Sequence, residues 1–329
     1  MKTKDPTYII TNNGCKAASV TEKRRIRMTE YRPEEQQNTE HSYSWHQLNQ
    51  CCMNHTVLYA RAYLFDAQRQ LHFRLGCCEG IMPFGQAALD ADKGLVKDIA
   101  ILTKVGHIVC FTVKELVNSG EKTSYAILSR AQAQKACKEA YFDTLQPGDI
   151  ISARVCSMEQ FGAFCDVGCG LIALLPIDYL SVSRISSPAD RLTIGQNIFC
   201  AVKKRDEYGR LVLTMKELLG SWDENAANFA AGETVLGRVR GIEDYGVFVE
   251  IAPNLAGLAE TRQNLEIGDC VSVYIKSILP ERMKIKLIVL GKIAPPPPLP
   301  EPHYYIRTGR LQSWQYASAA SGRQIGTIF

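Results

Sequence analysis

The chain has 329 residues, 46% of them apolar and 22% charged, with a formal net charge of +4. That length suits two or three domains of ordinary size, and the composition excludes a disordered chain. The mildly basic balance permits a polyanionic partner without demanding one, and no run approaches the roughly 20 apolar residues of a membrane span.

Residues 1–43 read as a flexible polar arm, rich in Lys, Arg, Glu, Gln and Asn and lacking apolar periodicity. The opening stretch holds no apolar segment long enough for a secretory signal, so the protein is expected to stay in the cytoplasm. Lys23-Arg24-Arg25-Ile26-Arg27 is read as either a solvated stretch or a phosphate contact. The 12 cysteines fit reduced, buried thiols, since Cys110, Cys156, Cys165, Cys200 and Cys270 sit within apolar, strand-like runs. Cys51-Cys52, Cys77-Cys78 and Cys165-x3-Cys169 do not form the paired spacing of a zinc site, so no metal or other cofactor is expected.

Trp45, Leu48 and Cys52 recur at helical spacing and predict a short helix that opens the next segment, residues 44–135. Further along, the chain repeats itself. Pro147-Gly148-Asp149-Ile150-Ile151 matches Ala231-Gly232-Glu233-Thr234-Val235, and Phe161-Gly162-Ala163-Phe164 falls on Tyr245-Gly246-Val247-Phe248. After a shorter loop in the second copy, Ile194-Gly195-Gln196 meets Ile267-Gly268-Asp269, and Arg210-Leu211-Val212-Leu213 meets Lys284-Ile285-Lys286-Leu287. These copies span 145–217 and 231–291. A degraded first copy lies within 44–135, where Gly80-Ile81-Met82-Pro83 resembles Ala173-Leu174-Leu175-Pro176. Each copy shows short alternating runs rich in Val, Ile, Phe and Tyr, bounded by Gly, Asp, Asn or Pro, as in a small five-stranded β-barrel.

Helical connectors are predicted over Arg130 to Phe142 and over 218–230. Residues 292–302 form a proline-rich linker, and 303–329 a tail in which Tyr305-Ile306-Arg307 and Leu311 to Tyr316 flank a Thr308-Gly309 turn as a candidate hairpin. Its aromatics Tyr304, Tyr305, Trp314 and Tyr316 are suited to docking on a barrel or to stacking on bases, with docking favoured.

The aromatic motif carries the chemistry. Two core residues of one strand lie an even number of positions apart, whereas Phe161 and Phe164 are three apart with a glycine between, which predicts a bend or bulge bringing both rings to one face. Exposed rings on a strand are platforms for unpaired bases. Together, the Gly-Asp/Glu strand start, the [FY]-G-x-F motif, the Gly-Leu step and the basic residue before an Ile/Val-x-Leu strand resemble the RNA-binding domain of the ribosomal protein S-one family.

That resemblance implies mainly β architecture: tandem five-stranded oligonucleotide-binding (OB-fold) barrels joined by short helices. It implies single-stranded RNA, chiefly messenger, and the small ribosomal subunit as partners. Carried over by position, the RNA-binding residues are Phe161, Phe164, Asp206 and Arg210, with Lys203 beside them, and Tyr245, Phe248 and Lys284 in the last copy. The family's His position holds Pro176, Glu260 and Pro83, and its Asp position in the last copy holds Pro280. A regulatory or decay-associated RNA binder and a protein–protein adaptor are the rival readings. No enzyme, small-molecule substrate or membrane role is expected, since the six His stand near no nucleophile pattern and no phosphate-binding or dinucleotide fingerprint occurs.

Overall fold

The computed structural model describes residues 31–35, 42–118, 124–260, 264–295, 297–298 and 301–329. Most of the polar arm, including its basic run, and part of the proline-rich linker lie outside these residues. The chain divides into two compact units, the first ending at Thr144 and the second running from Leu145 to Phe329 and including residues 33–35 of the arm.

The first unit opens with helix α1 (Trp45–Asn54). Ser44 caps it reciprocally: its hydroxyl accepts from the Gln47 amide, and the Gln47 side chain accepts from the Ser44 amide. The helix ends at His55, which takes a left-handed conformation at φ 51°. Strands β1 (Leu58–Phe65), β2 (Gln70–Arg74) and β3 (Glu79–Pro83) follow, then helix α2 (Asp98–Leu102), β4 (Ile108–Val117) and β5 (Tyr125–Ser129). The strands close into a barrel in the order β1-β2-β3-β5-β4 around Leu71, Phe73, Met82, Phe111 and Leu128. Helix α3 (Arg130–Ala140), capped by Ser129, closes the unit.

The second unit contains two more barrels of the same topology. The middle barrel is built from β6 (Ile150–Glu159), β7 (Gly162–Asp166), β8 (Ile172–Pro176), β9 (Asn197–Arg205) and β10 (Leu211–Thr214). A one-turn helix α4 (Trp222–Ala226), held by a Ser221–Glu224 capping box, leads to the last barrel. That barrel comprises β11 (Thr234–Glu243), β12 (Gly246–Ala252), β13 (Leu255–Ala259), β14 (Cys270–Leu279) and β15 (Lys284–Lys292). Valines fill much of its interior, Val239, Val247, Val249, Val271 and Val273 all being 0% exposed, as suits inward positions on strongly twisted strands. Three closed five-stranded barrels with few helices thus form a mainly β, tandem OB-like architecture.

The first strand of every barrel carries one extra residue at the same place, Tyr63, Cys156 and Arg240, each sitting where the register to the next strand shifts. This recurring bulge corrects two expectations. The bend lies on the partner strand rather than between Phe161 and Phe164, because Phe161 stands in the turn before β7 and escapes strand alternation altogether. Cys156, as the bulge residue, is exposed, whereas Cys110, Cys165, Cys200 and Cys270 are buried. Burial pushes the Cys165 thiol up to about 12, and no disulfide joins the described cysteines.

The tail docks. The Ile150 amide donates to the Gly309 carbonyl at 3.0 Å and the Leu311 amide to the Gly148 carbonyl at 2.8 Å. Tyr304, Ile306, Leu311 and Phe329 pack over Ile150, Ala201 and Phe199 on the outside of β6 and β9. The Phe199 amide donates to the Tyr304 hydroxyl at 3.2 Å. The tail's strand pair is β16 (Ser313–Gln315) with β17 (Gly326–Ile328), not a hairpin across Thr308-Gly309. That turn is instead spent pairing the chain to Gly148 and Ile150.

Candidate nucleic-acid interface

Glycine in the aromatic motif has a steric reason. A Cβ on Gly162 would lie 2.5 Å from the Leu175 carbonyl oxygen, and one on Gly246 would lie 2.6 Å from that of Ala259. Only a residue without a side chain lets the start of the second strand pass so close to the third. The turn before it projects Phe161, 56% exposed, and Tyr245, 68% exposed. Each meets the ring three residues on edge to face: Phe161 and Phe164 at 6.0 Å between centroids, and Tyr245 and Phe248 at 6.2 Å. The two barrels therefore present the same pair of perpendicular rings.

Strand register extends each pair into a row. Phe164 is opposite Leu174, Leu174 opposite Val212, and Val212 opposite Lys204. Opposed residues share a face, and the neighbours Ala163, Leu175, Leu211 and Leu213 point into the barrel. The outward row thus runs from an aromatic ring across aliphatic side chains to an exposed lysine. In the last barrel the corresponding row is Phe248, Leu258, Lys286 and Ser277, again with an exposed lysine. Lys204 and Lys286 do not stand out as site residues in the sequence, since nothing local aligns them with a ring two or three strands away.

The first barrel has a different row: His72, Ile81, Ile127 and Glu115. His72 occupies the position of Phe164, Arg69 that of Phe161, and Glu115 that of Lys204. His72 Nε2 lies 2.8 Å from Asp66 Oδ2 and Nδ1 2.8 Å from Glu79 Oε1. The Tyr63 hydroxyl donates to Glu79 at 2.6 Å. Burial disfavours the charged imidazole, but the two carboxylates outweigh it and raise its pKa from the ordinary 6.5. This face offers a clamped cation among acids instead of a stacking pair.

The remaining expected residues divide by role. Asp206 Oδ1 accepts from the amides of Tyr208 at 2.9 Å and Arg210 at 2.8 Å, and Oδ2 accepts from Arg210 Nε at 2.7 Å. Burial opposes these bonds, yet they hold the Asp206 carboxyl below the usual carboxylate range. Asp206 therefore organises the turn that presents Arg210, whose guanidinium lies 5.0 Å from the Tyr208 ring centre. Tyr208 is 74% exposed; its place inside the Asp-x3-Arg spacing was the sequence signal for it, though it belongs to no repeated motif. Lys284 is exposed at the start of β15.

Lys203 is engaged by the tail: Nζ donates to the Ile328 carbonyl at 3.3 Å and lies 4.9 Å from the Phe329 ring centre. Arg240, a basic residue on β11 of the last barrel, is no phosphate contact. Its side chain is 6% exposed, bonded to Glu250 Oε2 at 2.8 Å and Asp190 Oδ2 at 3.1 Å. Among the described residues no group of three or more His, Cys, Asp or Glu is placed to hold a metal ion, and no helix is long and apolar enough to cross a membrane.

Comparison with known proteins adds a second line. The S1 RNA binding domain profile matches residues 144–216, the span of the middle barrel. Small ribosomal subunit protein bS1 of Leuconostoc lactis is 35% identical over 178 residues, 49% of this chain and 41% of that protein. The bS1 protein of Streptococcus pneumoniae is 30% identical over 185 residues, 51% of this chain and 46% of its own length. The chain thus spans less than half the length of these two relatives. A solved multidomain protein with nucleic acid binding domains from Streptococcus pneumoniae covers 72% of this chain and 73% of its own, at 11% identity and a TM-score of 0.24. The chain therefore carries an S1 RNA binding domain as its middle barrel and, over about half its length, is a homologue of the bS1 ribosomal proteins.

Proposed function

We propose that this protein binds single-stranded RNA through the outward aromatic faces of its middle and last barrels, with messenger RNA and the small ribosomal subunit as its partners in the cytoplasm. The repetition of one design in two barrels carries this reading: Phe161/Phe164 leading to Lys204, and Tyr245/Phe248 leading to Lys286. Perpendicular rings, one well exposed and its neighbour partly so, give an unpaired base one face to stack on and an edge beside it. A lysine further along the row, its last member in the middle barrel and the third of four in the last, is suited to neutralising the phosphate that follows. Asp206 is read as a positioning residue for Arg210, and Lys284 as a flanking phosphate contact. The role is binding, without chemistry on the bound strand. The first barrel, with His72 and Glu115 in the corresponding row, is read as a non-stacking member of the array.

Fluorescence anisotropy with a labelled oligouridylate tests the reading. Wild type should bind saturably, and a chain carrying both Phe164→Ala and Phe248→Ala should bind far more weakly. Equal affinity of the two proteins would remove the case for these faces. Cosedimentation with small subunits at low salt separates the ribosomal role from that of a regulatory RNA binder acting elsewhere.

A further inference from the structure

The internal repeat gives a direct comparison between two copies of one surface, the outside of the first and fourth strands. In the middle barrel the tail covers it: Ile150 is 4% and Ala201 0% exposed. The contact begins at the turn before β6, where a Cβ on Gly148 would stand 1.8 Å from the Leu311 carbonyl oxygen. Arg310 adds charge, its Nε donating to the Pro147 carbonyl at 3.1 Å and lying 3.9 Å from Asp149 Oδ1.

The last barrel repeats the backbone of this turn. The Gly148 amide donates to Val202 at 2.8 Å and the Val202 amide to Asp149 at 2.9 Å; the Gly232 amide donates to Ile275 at 2.8 Å and the Ile275 amide to Glu233 at 2.8 Å. Row for row, Thr234, Tyr274 and Ile288 stand where Ile150, Ala201 and Thr214 do. Here, however, Leu236 is 51% and Ile288 41% exposed, and among the described residues nothing lies within 4 Å of a Cβ built on Gly232. Glu233 keeps the acidic charge that faces Arg310 at Asp149. We infer that this face of the last barrel is a docking site for an extended peptide segment of the tail's own chemistry, with aliphatic or aromatic side chains at intervals and a basic residue to face Glu233.

The segment would pair its backbone with Gly232 and Thr234 and lay its side chains over Leu236, Tyr274 and Ile288. Tyr274 in place of Ala201 makes the floor shallower, which suits aliphatic side chains better than a second ring. The Tyr245/Phe248 pair lies on another strand, and although Lys286 shares β15 with Ile288, Leu236 on β11 belongs to no part of the RNA row, so its variant separates this inference from the RNA reading.

The test uses the full chain and a fluorescein-labelled synthetic peptide of residues 303–313, followed by anisotropy. The expected result is saturable binding that weakens about tenfold or more with Leu236→Asp or with Ile288→Asp. Circular dichroism checks the fold of both variants, and Phe248→Ala should leave peptide binding unchanged. Absence of saturable binding would overturn the inference. So would binding indifferent to both aspartates, which would mean that the peptide displaces the chain's own tail from the middle barrel. A reversible dimer in sedimentation that Leu236→Asp dissolves and the peptide does not would equally overturn it, making the face an interface between two copies.

Discussion

Arg191 of the middle barrel and Glu250 of the last barrel form an ion pair in which both side chains are only 8% exposed. Arg240 joins them from β11 and reaches Asp190 in turn, so two guanidinium groups and two carboxylates interlock where the barrels meet. Nearby Asn254, 0% exposed, accepts from the Val182 amide at 2.9 Å and donates to the Lys216 and Gly220 carbonyls, both at 2.7 Å. The two barrels are clasped by a buried polar network.

Removing one member of a buried charge network strands the others without solvent. Glu250→Ala should therefore destabilise the second unit by about 3–5 kcal/mol, read as a lower urea midpoint. Glu250→Gln keeps the hydrogen-bonding oxygen and should lose less. A midpoint unchanged by Glu250→Ala would show that water reaches the network.

RNA affinity should follow the rows. Phe164→Ala is expected to cost about 1–3 kcal/mol in binding to a single strand, the usual worth of one stacked base. Lys204→Gln should flatten the dependence of affinity on salt by roughly 0.7 in logarithmic slope, one phosphate's worth for a single strand. Arg240→Gln should leave that slope alone, because its guanidinium is enclosed by Glu250 and Asp190. Titrations at several salt concentrations distinguish the two residues, and an altered slope for Arg240→Gln would contradict this assignment.

The first barrel should show a stability maximum in pH. Burial lowers the His72 pKa but Asp66 and Glu79 raise it further, for a net rise above 6.5. Hydrogen bonding to His72 lowers Asp66 from 3.8, and bonds from Tyr63 and then His72 lower Glu79 from 4.5. A raised imidazole stabilises fully below its unfolded value and loses that contribution as pH climbs through the folded one. The lowered carboxylates contribute above their unfolded values and lose that contribution as pH falls through the folded ones. The maximum is expected at about pH 5–6.5. His72→Ala should erase the decline on the alkaline side, and an NMR titration placing His72 at or below 6.5 would sink the clamp.

Tyr304 fastens the tail with a ring 5.4 Å from that of Phe199 and a hydroxyl that accepts the Phe199 amide. Burial pushes that hydroxyl far above the ordinary tyrosine range, so it stays neutral at physiological pH. Tyr304→Phe leaves the amide without its acceptor and should cost about 1–2 kcal/mol in denaturant unfolding, with the slope unchanged. Wild-type stability in the variant would mean that water replaces the hydroxyl there.

The repeat, the alternating strands and the Phe161/Phe164 and Tyr245/Phe248 pairs were legible because each is a pattern among chain neighbours. The glycine between the rings was visible too, though its reason, a third-strand carbonyl 2.5 Å (Gly162) or 2.6 Å (Gly246) from where a Cβ would stand, is a tertiary one. Helix α1 was readable from Trp45, Leu48 and Cys52, which recur with the period of a helical turn.

What the chain alone determined, then, is a thrice-used barrel and which rings leave it, since strand periodicity and turn sterics act over a few residues. Tertiary structure decided the fate of the charges. Lys203 and Lys204 are adjacent in sequence, yet one lies against Phe329 and the other ends an outward row. Arg240 looks like any strand-edge base until Asp190 and Glu250, 50 and 10 residues away in number, enclose it. A long flexible cation takes its role from whatever folds against it, and those partners come from distant parts of the chain.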